Sequence, residues 1–363
     1  QTTWTFSLAI LMLGLSAGFL GSFAEKIGPK KSGLLAMLFW VTGLLGTAYA
    51  LSIHNLTLLY LFYGIIGGIG LGIGYITPVS TLVKYFPNRP GFATGLAIMG
   101  FGFASLIAGP LMQFLVAQFG LVNNFIILGV IYLVIMGASS LYLKAPQQKH
   151  STRTTKDKST MYVHTHGMLA NDAMKTWQFG ALWWVFFINI TCGIGLLSLA
   201  SPMAQEAIGM TPTAAASLVG IIGIFNGGGR IAWSTISDYL GRAKTYILFF
   251  IIEIVAFYLL AQTNSALTFQ ILILLIITCY GGGFSCMPAY LADLYGIRQL
   301  STIHGRILTA WGLAGITGPM LVSYFHEAGY GYTTALECFA ALFVLNTIIA
   351  IVLKIYGKRE LHN

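Results

Sequence analysis

The chain has 363 residues, 56% of them hydrophobic and only 8% charged, with a formal net charge of +9. Soluble domains carry about 25% charged residues, so a water-solvated globule is excluded and the bilayer is the solvent for most of the surface. Cys192, Cys279, Cys286 and Cys338 all stand in apolar segments without metal-ligand spacing or a disulfide framework, and no metal or cofactor is expected.

In chain order, apolar runs long enough to cross about 30 Å of hydrocarbon lie at 3–23, 33–51, 57–83, 91–117, 122–143, 180–201, 213–236, 245–261, 266–292, 303–325 and 333–355. These predict about eleven transmembrane helices in an all-α integral membrane protein. One long polar stretch, 144–179, is rich in Lys, Thr, Ser and His and reads as a linker, with a short surface helix over 171–178.

The cations then fix an orientation. With the turn after the first span placed in the cytoplasm, Lys26, Lys30, Lys31, Lys84 and Arg89 fall on that side, as do the linker cations, Arg242, Lys244, Arg298, Arg306 and the C-terminal Lys354, Lys358 and Arg359. The opposite turns (52–56, 119–124, 202–211, 262–266, 327–332) hold none. This is the positive-inside pattern. The excess charge is a topology signal and nucleic acid is not a partner; a plasma (cell inner) membrane location with linker and C-terminus cytoplasmic is expected.

The cation outside that pattern is Arg230, in an apolar helical run eight residues before Asp238. At 1.5 Å rise per residue it sits roughly 12 Å below the membrane surface, a depth where a permanent charge usually faces a protein-lined cavity.

The chain also repeats. Glu25, Gly28 and Lys31 of GSFAEKIGPKK recur as Asp238, Gly241 and Lys244 of STISDYLGRAK, each 213 residues later. Pro78 recurs as Pro288 and Gly109-Pro110 as Gly318-Pro319, at offsets of 210 and 209. Two parallel, pseudo-symmetric six-helix bundles produce such a pattern. The first span then pairs with 213–236, and the partner of 180–201 would precede residue 1, so the first helix of the intact fold reads as absent. The expected organisation is an N-terminal bundle over 1–143 (helices 2 to 6 of twelve), a cytoplasmic linker over 144–179, a C-terminal bundle over 180–356 (helices 7 to 12) and a cytoplasmic tail over 357–363, with a central cavity.

These residues resemble the major facilitator superfamily over nearly the whole chain. Its turn consensus G-x-x-x-D-x-x-G-R-x-K/R is matched by Gly21, Glu25, Gly28 and Lys31, and again by Ser234, Asp238, Gly241, Arg242 and Lys244, with Glu for Asp in the first copy and Ser for the leading Gly in the second. More narrowly, GIGLGIGYITPVSTLVKYFPNRPGFATGLA (68–97), MKTWQFGALWWVFFINITCGIG (174–195) and FNGGGR resemble the oxalate:formate antiporter family, a branch close to the monocarboxylate carriers. The resemblance implies alternating-access transport of small organic anions, with a cation in helix 8 and another in helix 11 holding a carboxylate. Arg230 matches the first position. At the second, 307–325 holds no Lys or Arg, Trp311 stands mid-helix and Arg306 lies near the cytoplasmic start; a monocarboxylate or a different acid is favoured over oxalate. The two turn motifs are expected to gate, with Glu25 and Asp238 meeting helix N-termini or cations across the halves.

Three roles are open to Arg230. Its planar fork suits a carboxylate bidentately at any physiological pH; it could instead pair with Glu253, which lies at similar depth on the next span, or snorkel to the surface. Asn226, one turn before it, and Asn189 are polar at membrane depth, and Tyr75, Tyr280 and Trp311 offer apolar faces with polar tips. Each is a candidate substrate contact or a packing residue. Gly64, Gly67, Gly68, Gly70, Gly72 and Gly74, and Gly281–Gly283, read first as helix-packing positions. A membrane enzyme is disfavoured, because no cluster of nucleophile, base or metal ligands is seen. The competing readings are a proton-coupled exporter or symporter of metabolites or drugs working through Glu253, and a non-transporting nutrient sensor on the same fold. A monomer with a small organic anion as ligand and the bilayer as partner is expected.

Overall fold

The computed structural model describes residues 3–86, 88–144 and 167–357; the linker segment 145–166 and the tail 358–363 lie outside them. The described residues are all-α: α1 (Thr3–Ile27), α2 (Pro29–Ser52), α3 (Leu56–Tyr85), α4 (Pro90–Tyr142), α5 (Ala170–Ala173), α6 (Trp177–Glu206), α7 (Pro212–Leu240), α8 (Arg242–Gln262), α9 (Ala266–Tyr295), α10 (Leu300–Ile307), α11 (Thr309–Glu327) and α12 (Gly331–Tyr356). Among the described residues, ten helical stretches are long and apolar enough to cross a membrane, α10 and α11 counting as one. At 53 residues, α4 would be about 80 Å long, far beyond one hydrocarbon layer. It breaks at Gly120 (φ 80°, ψ 167°), a left-handed conformation that glycine adopts without steric penalty. The break divides α4 into two helices over the stretches expected at 91–117 and 122–143, so that the ten candidate spans among the described residues become eleven when α4 is counted as two.

The surface helix expected over 171–178 is corrected. The α5 helix is one turn, and α6 already begins at Trp177. Thr176 is the reason: its Oγ1 accepts from the Phe179 amide (3.4 Å), capping α6 and restarting the helix there.

The internal repeat is visible in backbone conformation. Gly28 (φ 81°, ψ 165°) separates α1 from α2, and Gly241 (φ 88°, ψ 145°) separates α7 from α8. Pro78, Pro110, Pro288 and Pro319 each lie inside a helix.

The chain forms two compact units that alternate along the sequence: Gln1–Ala93, Pro110–Phe179 and Leu291–Gly312 in the first, Thr94–Gly109, Gly180–Tyr290 and Leu313–Asn363 in the second. In the first unit, α1 is held by α3 on one side and α10 and α11 on the other. The glycines of α3 serve two neighbours: a Cβ at Gly68 would stand 2.7 Å from that of Met12 in α1, and one at Gly70 would stand 2.7 Å from the Trp40 amide nitrogen in α2. Their first role is close helix approach, as expected in lipid. Trp40 also packs against Tyr63 and Tyr132, at centroid distances of 6.0 and 5.9 Å. In the second unit, α8 and α12 interlock through aromatic rings one and two turns apart: Phe250 and Phe257 both meet Phe343 at 5.6 Å, and Phe257 also meets Phe339.

Candidate substrate-binding site

Arg230 is buried, 4% exposed, in the middle of α7. The FNGGGR glycines make its setting. A Cβ at Gly229 would stand 2.6 Å from the backbone oxygen of Thr278, so α7 and α9 touch main chain to main chain beside the arginine. On the α9 side, a Cβ at Gly281 would lie 2.8 Å from Asn226 Oδ1 and 3.2 Å from Arg230 Cγ. The guanidinium is oriented by neutral groups. Its Nε donates to Asn226 Oδ1 (3.1 Å) and its Nη1 to the Ile98 carbonyl of α4 (3.3 Å). The charge lies over the Phe284 ring at 5.1 Å and the Phe101 ring at 6.0 Å, within cation–π range. Its own carbonyl accepts from Ser234 (2.5 Å) and Ser285 (2.8 Å), which anchors the backbone beneath it.

The six predicted contact residues fall into two groups. Arg230 and Asn226 are directly bonded, and Tyr280 joins them through Phe284, whose ring it meets edge-on at 5.3 Å. Asn189, fully buried on α6, lies beside Gly283, where a Cβ would stand 2.6 Å from its Oδ1; neither of its amide atoms has a hydrogen-bond partner among the described residues. All four belong to the second unit. Tyr75 and Trp311 belong to the first, where their rings meet edge-on at 5.3 Å. Sequence reasoning missed Ile98, Phe101, Phe284 and the buried His304, which touches Tyr75 at 5.8 Å. A backbone carbonyl carries no sequence signal, and phenylalanines are too common in apolar spans to stand out.

Glu253, the other partner considered for Arg230, stands on the next helix. Glu253 is buried on α8, and its Oε2 has no hydrogen-bond partner among the described residues. Arg230 does not snorkel, since its fork is turned to Asn226, Ile98 and the rings.

The two turn motifs close differently. Glu25 Oε1 accepts from Lys84 of α3 (3.3 Å) and Oε2 from Thr302 of α10 (3.4 Å), tying α1 to a helix of each sequence half. Asp238 pairs with Arg242 (2.7 Å) across the Gly241 turn, and Arg242 Nη1 donates to Ser237 Oγ (2.6 Å). Lys31 and Lys244 are exposed.

The apolar spans, the duplicated turns and the buried arginine agree with the class that comparison with known proteins gives. The chain belongs to the Major Facilitator Superfamily, whose family model matches residues 1–241 and again 182–361. It is therefore an integral membrane transporter and not an enzyme. Among its relatives, the MFS-type transporter YhjX of Escherichia coli K12 is 29% identical over 321 residues, covering 87% of this chain and 77% of the relative. The oxalate:formate antiporter of Oxalobacter formigenes is 26% identical over 339 residues, covering 92% and 77%. The solved structure of the proton:xylose symporter XylE shares the fold at a TM-score of 0.75 and 14% identity, covering 95% of this chain and 85% of that one.

Proposed function

We propose that the protein carries small organic anions, mono- or dicarboxylates, across the plasma membrane by alternating access, in exchange mode, with Arg230 as the carboxylate anchor. The observation that carries this reading is the Arg230 locus: a permanent cation inside a membrane span, oriented by a side-chain amide, a backbone carbonyl and two ring faces. Placing an arginine at mid-span costs on the order of 3 kcal/mol even on insertion scales, and a transported anion would offset that cost each time it binds. Asn226 holds the fork from behind, Tyr280 and Phe284 form an aromatic wall, and the buried amide of Asn189 offers both a donor and an acceptor. The name of the oxalate:formate antiporter among the relatives supports the substrate class. The positive-inside pattern of the cations supports a cytoplasmic side for the turns and linker that carry them. The test is uptake of labelled formate, acetate, pyruvate, lactate and oxalate into proteoliposomes, with xylose and a cationic dye as controls. Saturable uptake of at least one acid, abolished in Arg230→Gln, is expected; uptake of the controls alone would overturn the reading.

A second reading is favoured by one observation. The Glu253 carboxyl is buried on α8, and its Oε2 has no hydrogen-bond partner among the described residues. A proton-coupled exporter or symporter would use it.

A further inference from the structure

A second buried polar group stands outside the Arg230 locus, and the carrier reading leaves it unused. His304 lies on α10 at 1% exposure, and neither Nδ1 nor Nε2 has a hydrogen-bond partner among the described residues. A neutral imidazole always carries one N–H donor and one acceptor nitrogen, and buried polar atoms are nearly always satisfied by protein, water or ligand. The ring is held where it is by packing. A Cβ at Gly21 of α1 would stand 3.0 Å from the Ser301 oxygen of α10, and one at Gly14 would stand 2.6 Å from the oxygen of Leu308, the residue after α10, so α1 meets main chain on both sides of His304. From α3, the Tyr75 ring covers the imidazole at 5.8 Å with a 50° tilt, and Trp311 meets Tyr75 at 5.3 Å. Three rings form a row with the imidazole at one end. The carboxylates on the helices packed against α10 are engaged elsewhere: Glu25 with Lys84 and Thr302, and Asp172 with Lys175 at 3.1 Å. On α10 itself, Arg306 donates to Asn171 at 2.7 Å.

We propose that His304 is a substrate-binding residue whose ring N–H donates to a carboxylate oxygen of a small organic anion, the carbon skeleton of that anion lying along Tyr75 and Trp311. The assignment rests on the carboxylate-carrier reading, and the residues it uses all belong to the first unit. A carboxylate is the matching acceptor because a hydrogen bond to an ionised oxygen is roughly twice as strong as a neutral one. The aromatic faces supply apolar contact for a short chain, so the row selects for acids with a carbon skeleton over bare formate.

The experiment uses the full chain in lipid nanodiscs, with affinities for formate, acetate, pyruvate and oxalate measured for the native protein and for His304→Leu, His304→Gln and Arg230→Gln. His304→Leu suits the apolar surroundings and should melt at or above the native temperature, yet bind pyruvate roughly tenfold or more weaker, the loss of one charge-assisted hydrogen bond. His304→Gln keeps a donor and should stay within about threefold. Nitrogen-15 spectra of histidine-labelled protein should show the His304 ring resonance, identified by its loss in the Gln variant, moving on addition of pyruvate. Should the Leu variant fail to fold, that resonance and the Gln affinity decide the question. A folded Leu variant with native affinity, or a ring resonance that pyruvate leaves in place, would overturn the role of His304. Binding lost in Arg230→Gln but native in His304→Leu leaves the carrier reading standing and removes His304 from it. Native protein that binds none of the four acids overturns both.

Discussion

At the scale of single residues, Arg230 and Glu253 separate the competing mechanisms. The Arg230 fork uses Nε and Nη1 at once, on Asn226 and Ile98. Lysine retains the charge but has one nitrogen and no planar fork. Arg230→Lys should therefore lower kcat/KM for carboxylate uptake by roughly a hundredfold, the loss of about two charge-assisted contacts. A fully active Lys variant would reduce Arg230 to a source of positive field. Glu253→Gln replaces a buried carboxyl that has an unpartnered oxygen with a neutral amide of the same shape. If the carboxyl serves only packing, the variant should hold native uptake and native response to an imposed pH gradient. Loss of gradient-driven uptake with exchange intact would move the mechanism to proton coupling through Glu253. The arginine was legible because a cation inside an apolar run has no bland composition to hide in. His304 was not: it reads as one more histidine near a helix start, and only its burial between α1 and α3 distinguishes it.

At the scale of helices, the glycines divide by what lies opposite them. Gly229 faces the Thr278 backbone at 2.6 Å, which cannot step aside as a flexible side chain would, while Gly228 next to it meets nothing within 4 Å. Gly229→Ala should push α7 from α9, displace Arg230 and abolish uptake. Gly228→Ala should be neutral or slightly stabilising, since alanine is the better helix former by about 1 kcal/mol. Equal damage from both substitutions, read as uptake per correctly inserted protein, would mean that the glycines act as bending points and not as close contacts. Gly28 and Gly241 belong to a different class, with φ near +85° and open space around them. Alanine at either should cost about 1–3 kcal/mol through backbone strain alone, since positive φ with extended ψ is a region that only glycine adopts readily, lowering the melting temperature without removing a contact. The span positions and the duplicated turns could be read in the sequence because hydropathy, Gly and Pro report them directly. The restart of the helix at Trp177 could not, because it depends on the Thr176 hydroxyl capping an apolar run whose composition alone shows no break. Likewise the Lys84 partner of Glu25 lies 59 residues away, beyond the reach of any local pattern.

At the scale of the whole molecule, the anchor role proposed for Arg230 has a consequence for transport mode. An empty carrier would change state with a guanidinium whose charge no anion neutralises, held by neutral groups in a partly dry environment where desolvation of the charge is costly. A bound carboxylate would neutralise that charge and add charge-assisted hydrogen bonds to the fork. Reorientation of the loaded carrier should then be the faster path, so that anion on one side accelerates anion leaving from the other. Arginine keeps its proton throughout, and the anchor itself therefore supplies no proton coupling. The Glu25 contacts to Lys84 and Thr302 are candidates for bonds broken in each cycle; a side chain that contributes only to one state shifts that equilibrium by its differential free energy. Proteoliposomes loaded with a labelled carboxylate should thus empty several times faster with unlabelled acid outside than without it. Glu25→Gln should change the rate of that exchange more than the affinity for the acid. Efflux indifferent to outside acid but driven by an imposed pH gradient would exclude exchange and leave proton symport as the mode. The same assay at a fixed gradient, with Arg230→Gln as the blank, separates a leak from carriage: flux surviving in that variant is leak, and the exchange argument applies only to what it removes.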